Sequence, residues 1–236
     1  MRKLAILALS GCLAVASACA PKVVPAPVVT TPKFPEFIAP VVPPAFAGGK
    51  AALNFDRGWR FLQAGDLKNA EHEFALALQV SPAFYPAESG GGYVALARTD
   101  AKAALPYFDR ALEKQPADLS ALVGRGETLL ALDREGDAVA AFDLALAVDP
   151  SLTDLRRRVE VLKFRGVERG LADARQAARS GNLDQAIRSF QTAIAGSPDS
   201  AFLYRELGAV ERQKGDADTA LEHFRKASAL DPTDAI

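Results

Sequence analysis

The sequence predicts a repeat protein, a solenoid of stacked units that follows a proline-rich segment and an apolar N-terminus. Three observations lead to this prediction. Residues 51–236 are self-similar at a period of 34, residues 21–44 hold 8 prolines, and residues 4–20 carry no charge. Self-similarity at a fixed period of about 20–50 residues is typical of solenoids and other repeat architectures.

The composition of the 236 residues excludes several classes of protein. The apolar fraction is 49% and the charged fraction is 24%, which is ordinary for a folded domain and excludes wholesale disorder. A net charge of −1 gives no general indication of nucleic-acid binding. Two cysteines and two histidines are too few for a disulfide scaffold, a cysteine-rich zinc fold or an iron–sulfur protein.

The repeat is clearest in the pattern Ala-x-x-x-Phe-x-x-Ala-x-x-x-x-Pro. Its first alanines are Ala70, Ala104, Ala138, Ala186 and Ala220. Counting back 19 residues from each alanine divides the region into five units. The units are 51–84, 85–118, 119–152, 167–200 and 201–236. The third and fourth starts are 48 residues apart, so residues 153–166 form an insertion.

This pattern resembles the tetratricopeptide repeat family, in which each unit is a pair of antiparallel helices. The resemblance covers residues 51–236 and implies an all-α, right-handed superhelical solenoid of five helix pairs. The eighth place of each unit holds a small residue, which lets the paired helices cross closely. These residues are Gly58, Gly92, Gly126, Ala174 and Gly208. The final proline ends the second helix because it has no N–H to continue it.

Three irregularities interrupt the pattern: a run of glycines, an internal proline and the insertion at 153–166. Three consecutive glycines at 90–92 are expected to weaken and shorten the first helix of unit two. The alternative is that another group approaches this helix closely. Pro106 is tolerated only in a first turn, so we expect the second helix of that unit to start late, near Ala103.

The insertion before unit four is expected to extend a helix. Fourteen residues make almost four helical turns, so an extension of this length keeps the same face toward the core. Apolar residues recur in this stretch near helical spacing. They are Leu155, Val159, Leu162, Phe164, Val167 and Leu171. We therefore predict one long helix over residues 153–179, and the alternative is an extra short helix that divides the array.

The N-terminus has the pattern of an export signal. Two basic residues precede the apolar stretch, and Ala16-Ser17-Ala18 precedes Cys19. The stretch Ala16-Ser17-Ala18-Cys19 resembles a bacterial lipobox and predicts a signal peptide over 1–18 with an acylated Cys19. Cys12 is the alternative, but it would leave a short apolar core. Ordinary cleavage with release of a soluble product is the other interpretation.

Residues 19–50 are predicted to tether the domain to a membrane. Proline density favours extended polyproline II over residues 21–44, with a reach of about 70 Å. Ala20 and Pro21 follow the cysteine, and in the lipoproteins that the sequence resembles this implies the outer membrane. A proline-rich ligand for another protein is the alternative function of the segment. Its aromatic residues are Phe34, Phe37 and Phe46.

The family resemblance implies a partner-binding groove lined by the first helices. Its apolar end would hold Phe55, Trp59, Tyr93 and Leu96. Its basic end would hold Arg175, Arg179, Arg205 and Arg212. Such a groove suits a ligand with one apolar and one acidic end, although Phe55 and Trp59 would equally serve to cap the first unit.

A basic band is the second candidate surface. Residues 156–179 carry a net charge of +5, whereas residues 51–155 carry −7. Arg156, Arg157 and Arg158 open this band. It is either a solvated helix face or a site for an acidic peptide, lipid headgroup or wall polymer.

No motif in the sequence indicates catalysis. There is no nucleophile elbow, phosphate-binding glycine loop or metal-ligand pair, so we expect no enzyme activity, no metal and no cofactor. The sequence predicts a scaffold that binds a protein or peptide, not nucleic acid. It would be lipid-anchored at the periplasmic face of the outer membrane and would assist assembly of an envelope complex. The alternatives are a soluble periplasmic binding module and an accessory regulator of a cell-wall enzyme.

Overall fold

The computed structural model describes residues 24–232, and within that range all regular structure is helical. The described chain forms ten α-helices, preceded by a short 3₁₀ turn at Pro44–Phe46. They are α1 (Lys50–Gln63), α2 (Leu67–Val80), α3 (Tyr85–Ala97), α4 (Ala101–Lys114), α5 (Leu119–Ala131), α6 (Glu135–Val148), α7 (Thr153–Arg179), α8 (Leu183–Gly196), α9 (Ala201–Lys214) and α10 (Ala217–Leu230). Each helix packs mainly against its neighbours in the chain. The predicted all-α solenoid of five helix pairs is confirmed.

Local sequence signals set the ends of the second helices. Asp66, Asp100 and Asn182 are N-caps whose side-chain oxygens accept a hydrogen bond from the amide three residues later. At the other end, each second helix stops two residues before the proline of the repeat. The proline therefore ends the helix, as the sequence predicted, because its nitrogen cannot donate a hydrogen bond to the preceding turn.

The turn inside each helix pair requires a left-handed residue at the fifteenth place of the unit. Three units have glycine there, with φ of 81° at Gly65, 75° at Gly181 and 99° at Gly215. The other two have Thr99 at 60° and Asp133 at 58°. Glycine adopts this conformation without steric cost, whereas a β-branched residue such as threonine is strained in it.

Phe74 of α2 and Phe108 of α4 each pack between two glycines. One glycine lies on the first helix of the same unit and the other on the first helix of the next unit. A Cβ on either Gly58 or Gly90 would lie 2.7 Å from the Phe74 ring. Phe108 meets the next pair, because a Cβ would lie 2.7 Å from its ring at Gly92 and 2.3 Å at Gly124. Each ring therefore contacts the first helix of its own unit and that of the following unit.

These contacts correct the expectation for the three consecutive glycines. The helix α3 is continuous from Tyr85 to Ala97 and is not shortened. All three glycines are buried, and Gly91 lies against the Tyr107 ring. The alternative interpretation, in which another group approaches this helix closely, is therefore correct. Packing of the rings offsets the low helix propensity of glycine.

The expected late start of α4 is wrong. This helix begins at Ala101, and Pro106 lies inside it. The Asp100 carboxylate accepts a hydrogen bond from the Ala103 amide at 3.0 Å, which sets the start earlier. Pro106 leaves the carbonyl of Lys102 without its helical donor, but Lys102 is exposed, so water can satisfy that oxygen.

The predicted long helix is confirmed as α7, and it joins two hydrophobic cores. Val159 and Leu162 are buried in the core shared with α5 and α6. Ala174 and Ala177 are buried in the core shared with α8 and α9. The expectation that Phe164 faces a core is wrong, since its side chain is 63% exposed. It follows Leu162 by two residues, which places it about 200° around the helix from that buried side chain.

The ring-to-glycine contacts predict opposite effects for two glycine-to-alanine substitutions. A Cβ at Gly126 would lie 2.2 Å from the Phe142 ring, so Gly126→Ala should destabilise the domain by about 1–3 kcal/mol. A Cβ at Gly166 in α7 would meet no atom within 4 Å, so Gly166→Ala should stabilise it by about 0.5–1 kcal/mol. Urea denaturation measures both changes, and equal effects of the two substitutions would contradict this account of the packing.

Candidate functional site

The first helices of the five units are α1, α3, α5, α7 and α9, and we call their outward sides the first-helix face. The helix α3 packs against α1 and α5, and side chains of α7 contact α5 and α9. At its N-terminal end the structure brings three predicted groove residues together. The rings of Phe55 and Trp59 are 6.3 Å apart, and those of Trp59 and Tyr93 are 5.8 Å apart. Leu96 packs against the same core. The predicted apolar end is therefore one continuous cluster.

Residues 33–46, here called the groove segment, lie across this cluster. The Lys33 amide donates to the Gln63 carbonyl at 2.8 Å, and the Phe34 amide donates to the Gln63 side-chain oxygen at 3.3 Å. The Ser120 hydroxyl donates to the Ile38 carbonyl at 2.8 Å. Because Gln63 ends α1 and Ser120 begins α5, the segment spans the first helices of three units.

Aromatic side chains hold the groove segment against the face. Phe37 stacks on Tyr93 with ring centroids 4.6 Å apart and on Phe34 at 5.0 Å. Phe46 packs edge-on against Phe84 at 5.2 Å. Tyr93 is consequently only 1% exposed, and Phe55, which packs against Phe74 and Phe84, is 5% exposed. The predicted apolar end is covered by the chain itself.

This packing differs from the predicted free spacer. Proline prevents the groove segment from forming a helix or sheet, but it does not prevent the segment from burying apolar side chains. Phe34, Phe37, Val42 and Phe46 are all partly buried against the first hydrophobic core. Removing this apolar surface from water stabilises the docked state at about 25 cal/mol per Å².

Buried polar groups underlie the groove segment. The Tyr93 hydroxyl donates to the Ser120 carbonyl at 2.9 Å. Burial raises the pKa of Tyr93, and its hydrogen bonds with Ser120 and the Ile38 backbone oppose that rise. Nearby, the Ser89 hydroxyl donates to Asp118 at 2.8 Å. Burial raises the pKa of the Asp118 carboxyl, and the bond from Ser89 opposes it.

The predicted basic end lies on α7 and α9. Arg175 lies over the Phe202 ring at 5.6 Å, and Arg212 lies over the Phe224 ring at 5.7 Å. Arg179 is exposed and Arg205 is partly buried. These residues surround the third core, whereas the apolar end belongs to the first. The two predicted ends of the groove therefore lie against different hydrophobic cores.

The sequence did not predict an apolar strip that runs along α7 to Arg175 of the basic end. Phe164, Leu171 and Arg175 follow one another on α7 at intervals of seven and four residues, so they share one side of that helix. Phe202 of α9 continues the strip beneath Arg175 and is 36% exposed. We call these four residues the open face. The helical spacing back from Arg175 was the signal that could have identified Phe164.

The three arginines of the basic band point to different partners. Arg156 donates to the Pro150 carbonyl, and Arg157 pairs with Asp154. Arg158 reaches Glu127 of α5 and lies over the Phe142 ring. Their charges are thus distributed around the start of α7 and do not converge on one anion site.

A cleft of about 440 Å³ lies between α6, α7 and α8, and its charged lining includes Glu135, Asp143, Lys163 and Arg169. Across residues 24–232, no group of three or more histidine, cysteine or acidic side chains could hold a metal ion. None of the helices in this range is both long and apolar enough to cross a membrane. The predicted signal peptide, Cys12 and Cys19 lie outside the described residues.

The stacked helix pairs and their exposed first-helix face define a helical-repeat solenoid. The chain belongs to the tetratricopeptide repeat family, which matches residues 90–152 and 171–235, more than half of its length. This identifies the repeat family predicted from the sequence. No curated protein matches the chain.

Several solved structures resemble the chain at low identity. YrrB, described as a tetratricopeptide repeat protein with an unusual peptide-binding site, is 20% identical, with 78% of this chain and 88% of that one covered and a TM-score of 0.44. MamA from Desulfovibrio magneticus RS-1 is 23% identical, with 80% and 99% covered and a TM-score of 0.42. The P58(IPK) repeat domain is 23% identical, with 78% and 51% covered and a TM-score of 0.48.

The burial of Tyr93 predicts how the tyrosines titrate. Because folding favours its neutral phenol, Tyr93 should stay neutral in the native protein above pH ~10, where an unfolded tyrosine ionises. This coupling lowers stability as the pH rises through that value. Phe37→Ala should uncover Tyr93 and lower its pKa, so that one more of the four tyrosines ionises by pH ~11.

Absorbance at 295 nm follows this titration. Val41→Ala is the matched control, because Val41 lies in the same segment but is 76% exposed. Superimposable curves for the Phe37 variant and the wild type would show that the segment does not cover Tyr93 in solution.

Proposed function

We propose that this protein is a noncatalytic scaffold of the bacterial cell envelope that binds a non-helical partner segment on its first-helix face. The observation that carries this proposal is the course of the groove segment. Residues 33–46 lie along that face with a turn at 34–37, where the Phe37 amide donates to the Phe34 carbonyl at 3.2 Å, and three of their hydrogen bonds to the face involve their own backbone groups. A surface that accommodates a non-helical piece of its own chain in this way is suited to a peptide segment of the same kind.

The open face suits a partner segment with an apolar and an acidic part. The exposed Phe164 ring offers apolar contact, and Phe202 lies beside the Arg175 guanidinium. Arg179 follows Arg175 by four residues and adds positive charge, whereas Glu168 lies between Phe164 and Leu171 and is acidic. A carboxylate on the partner would form charge-assisted hydrogen bonds with these arginines.

The cellular setting of the proposal comes from the N-terminal sequence. Removal of residues 1–18 and acylation of Cys19 would anchor the protein at the periplasmic face of the outer membrane. Acyl chains stabilise membrane binding by about 0.8 kcal/mol per buried CH₂ group, so several chains would hold it firmly. From there it would assist assembly of an envelope complex.

Photo-crosslinking in living cells tests the binding face. A photoreactive residue at position 164 or 202 should capture one dominant envelope protein. Position 80 is the control, because Val80 is 51% exposed but lies at the end of a second helix. Equal capture from position 80, or none from 164 and 202, would place binding elsewhere. Position 93 is unsuitable because Tyr93 is buried.

Mass spectrometry of the mature N-terminus tests the anchor. We expect a chain that begins at an acylated Cys19 and partitions into the membrane fraction. Cys19→Ala should release the protein into the soluble periplasmic fraction, whereas Cys12→Ala should leave its distribution unchanged. A mature chain with no lipid on Cys19 would instead support the soluble periplasmic binding module.

A further inference from the structure

The groove segment occupies the face as a peptide ligand would. Its contacts with Gln63 and Ser120 use its own backbone groups, and these two side chains are only 7% and 2% exposed. Its aromatic contact with the face is made by Phe37 on Tyr93, and Phe34 stacks on Phe37 within the segment. Recognition of an extended chain generally divides in this way, with affinity from the backbone and specificity from side-chain contacts.

Without the segment, the surface beneath it would expose apolar and polar groups that are now buried. Departure of the segment would expose the Tyr93 ring next to Trp59, together with the polar groups of Gln63 and Ser120. A contiguous exposed apolar patch rimmed by polar groups is characteristic of a protein-interaction site. The occupied face therefore has the composition of a binding site whose ligand is already present.

The segment is attached in a way that allows it to leave. Apart from the turn at Pro44–Phe46 it forms no helix or strand, and Pro35, Glu36 and Val41 point into solvent. Its link to α1 is the short stretch 47–49, in which Gly48 has a φ of 73°. Its departure would leave the helical cores in place, since these are built from residues after position 50.

From these contacts we propose that the groove segment is an intramolecular ligand that excludes partners from the first three units, and that the partner segment replacing it is non-helical, proline-flanked and carries two aromatic residues three positions apart. This inference rests on the proposed function and specifies the part of the partner that binds the first three units. A tethered ligand has an effective concentration in the millimolar range when its linker is short and flexible. Binding by a competing segment is weakened in proportion to the small fraction of molecules whose face is free.

Release of the segment would also lengthen the tether. With an anchor at Cys19, the chain to Val24, whose carbonyl accepts a hydrogen bond from Arg57 at 3.0 Å, has 5 residues and reaches about 15 Å at 3.1 Å per residue. With this bond also broken, the undocked chain to Lys50 has 31 residues and reaches about 95 Å by the same measure. Exchange of the segment for a partner would thus couple binding to the distance between the domain and its membrane.

A synthetic peptide of residues 31–46, labelled with a fluorophore, tests the inference by anisotropy. It should bind the mature Phe34→Ala/Phe37→Ala protein at least tenfold more tightly than it binds the wild type. Val41→Ala is the matched control in the same segment and should bind as the wild type does. A peptide with alanine in place of both phenylalanines should bind neither protein.

A second variant leaves both the segment and the face unchanged. Insertion of about 20 glycine and serine residues between Gly48 and Gly49 lowers the effective concentration of the segment, so the wild-type peptide should bind this protein more tightly than the wild type. Equal peptide affinity for wild type, double variant and insertion variant would overturn the inference. So would absence of binding to a double variant that retains native helicity by circular dichroism.

Failure of this inference can be told apart from failure of the proposed function. Capture of a partner from positions 164 and 202 does not require the groove segment to move. If that capture occurs equally in the wild type and the double variant while the peptide result is negative, the scaffold function stands and the competition does not. Loss of capture at both positions would instead contradict the proposed function.

Discussion

The packing of a phenylalanine ring against backbone that lacks a side chain governs this solenoid. Phe74 and Phe108 each contact glycines on two successive first helices. A Cβ at any of these glycines would lie 2.7 Å or less from a ring, so only glycine permits the observed approach. The ring replaces the missing side-chain volume and links one unit to the next, so that α1, α3 and α5 remain side by side in the first three units.

The long helix α7 changes this regular arrangement. It contributes buried side chains to the core before it and to the core after it, while Phe164 between them stays exposed. The two halves of the solenoid therefore have separate cores and offer different surfaces. One half is covered by the groove segment and the other is open.

The groove segment shows how a proline-rich chain can take part in a folded structure. Proline removes the possibility of backbone pairing along the segment, so its stability depends on side-chain stacking and on a few hydrogen bonds to neighbouring helices. Phe34, Phe37 and Tyr93 form the stack, and Gln63 and Ser120 make the hydrogen bonds. A contact of this kind is specific without being extensive, which is the property that exchange with a partner requires.

The sequence by itself determined the helical repeat, its units and the long helix before the fourth. These features depend on local signals that recur every 34 residues, such as the terminal prolines and the small residue at the eighth place. Only the tertiary structure decided how the three glycines of α3 are used, because the rings that contact them come from α2 and α4, 16 residues away in each case. It also decided that Tyr93 is covered. Its burial depends on a distant segment that lies over the ring, and no local pattern in the chain carries that information.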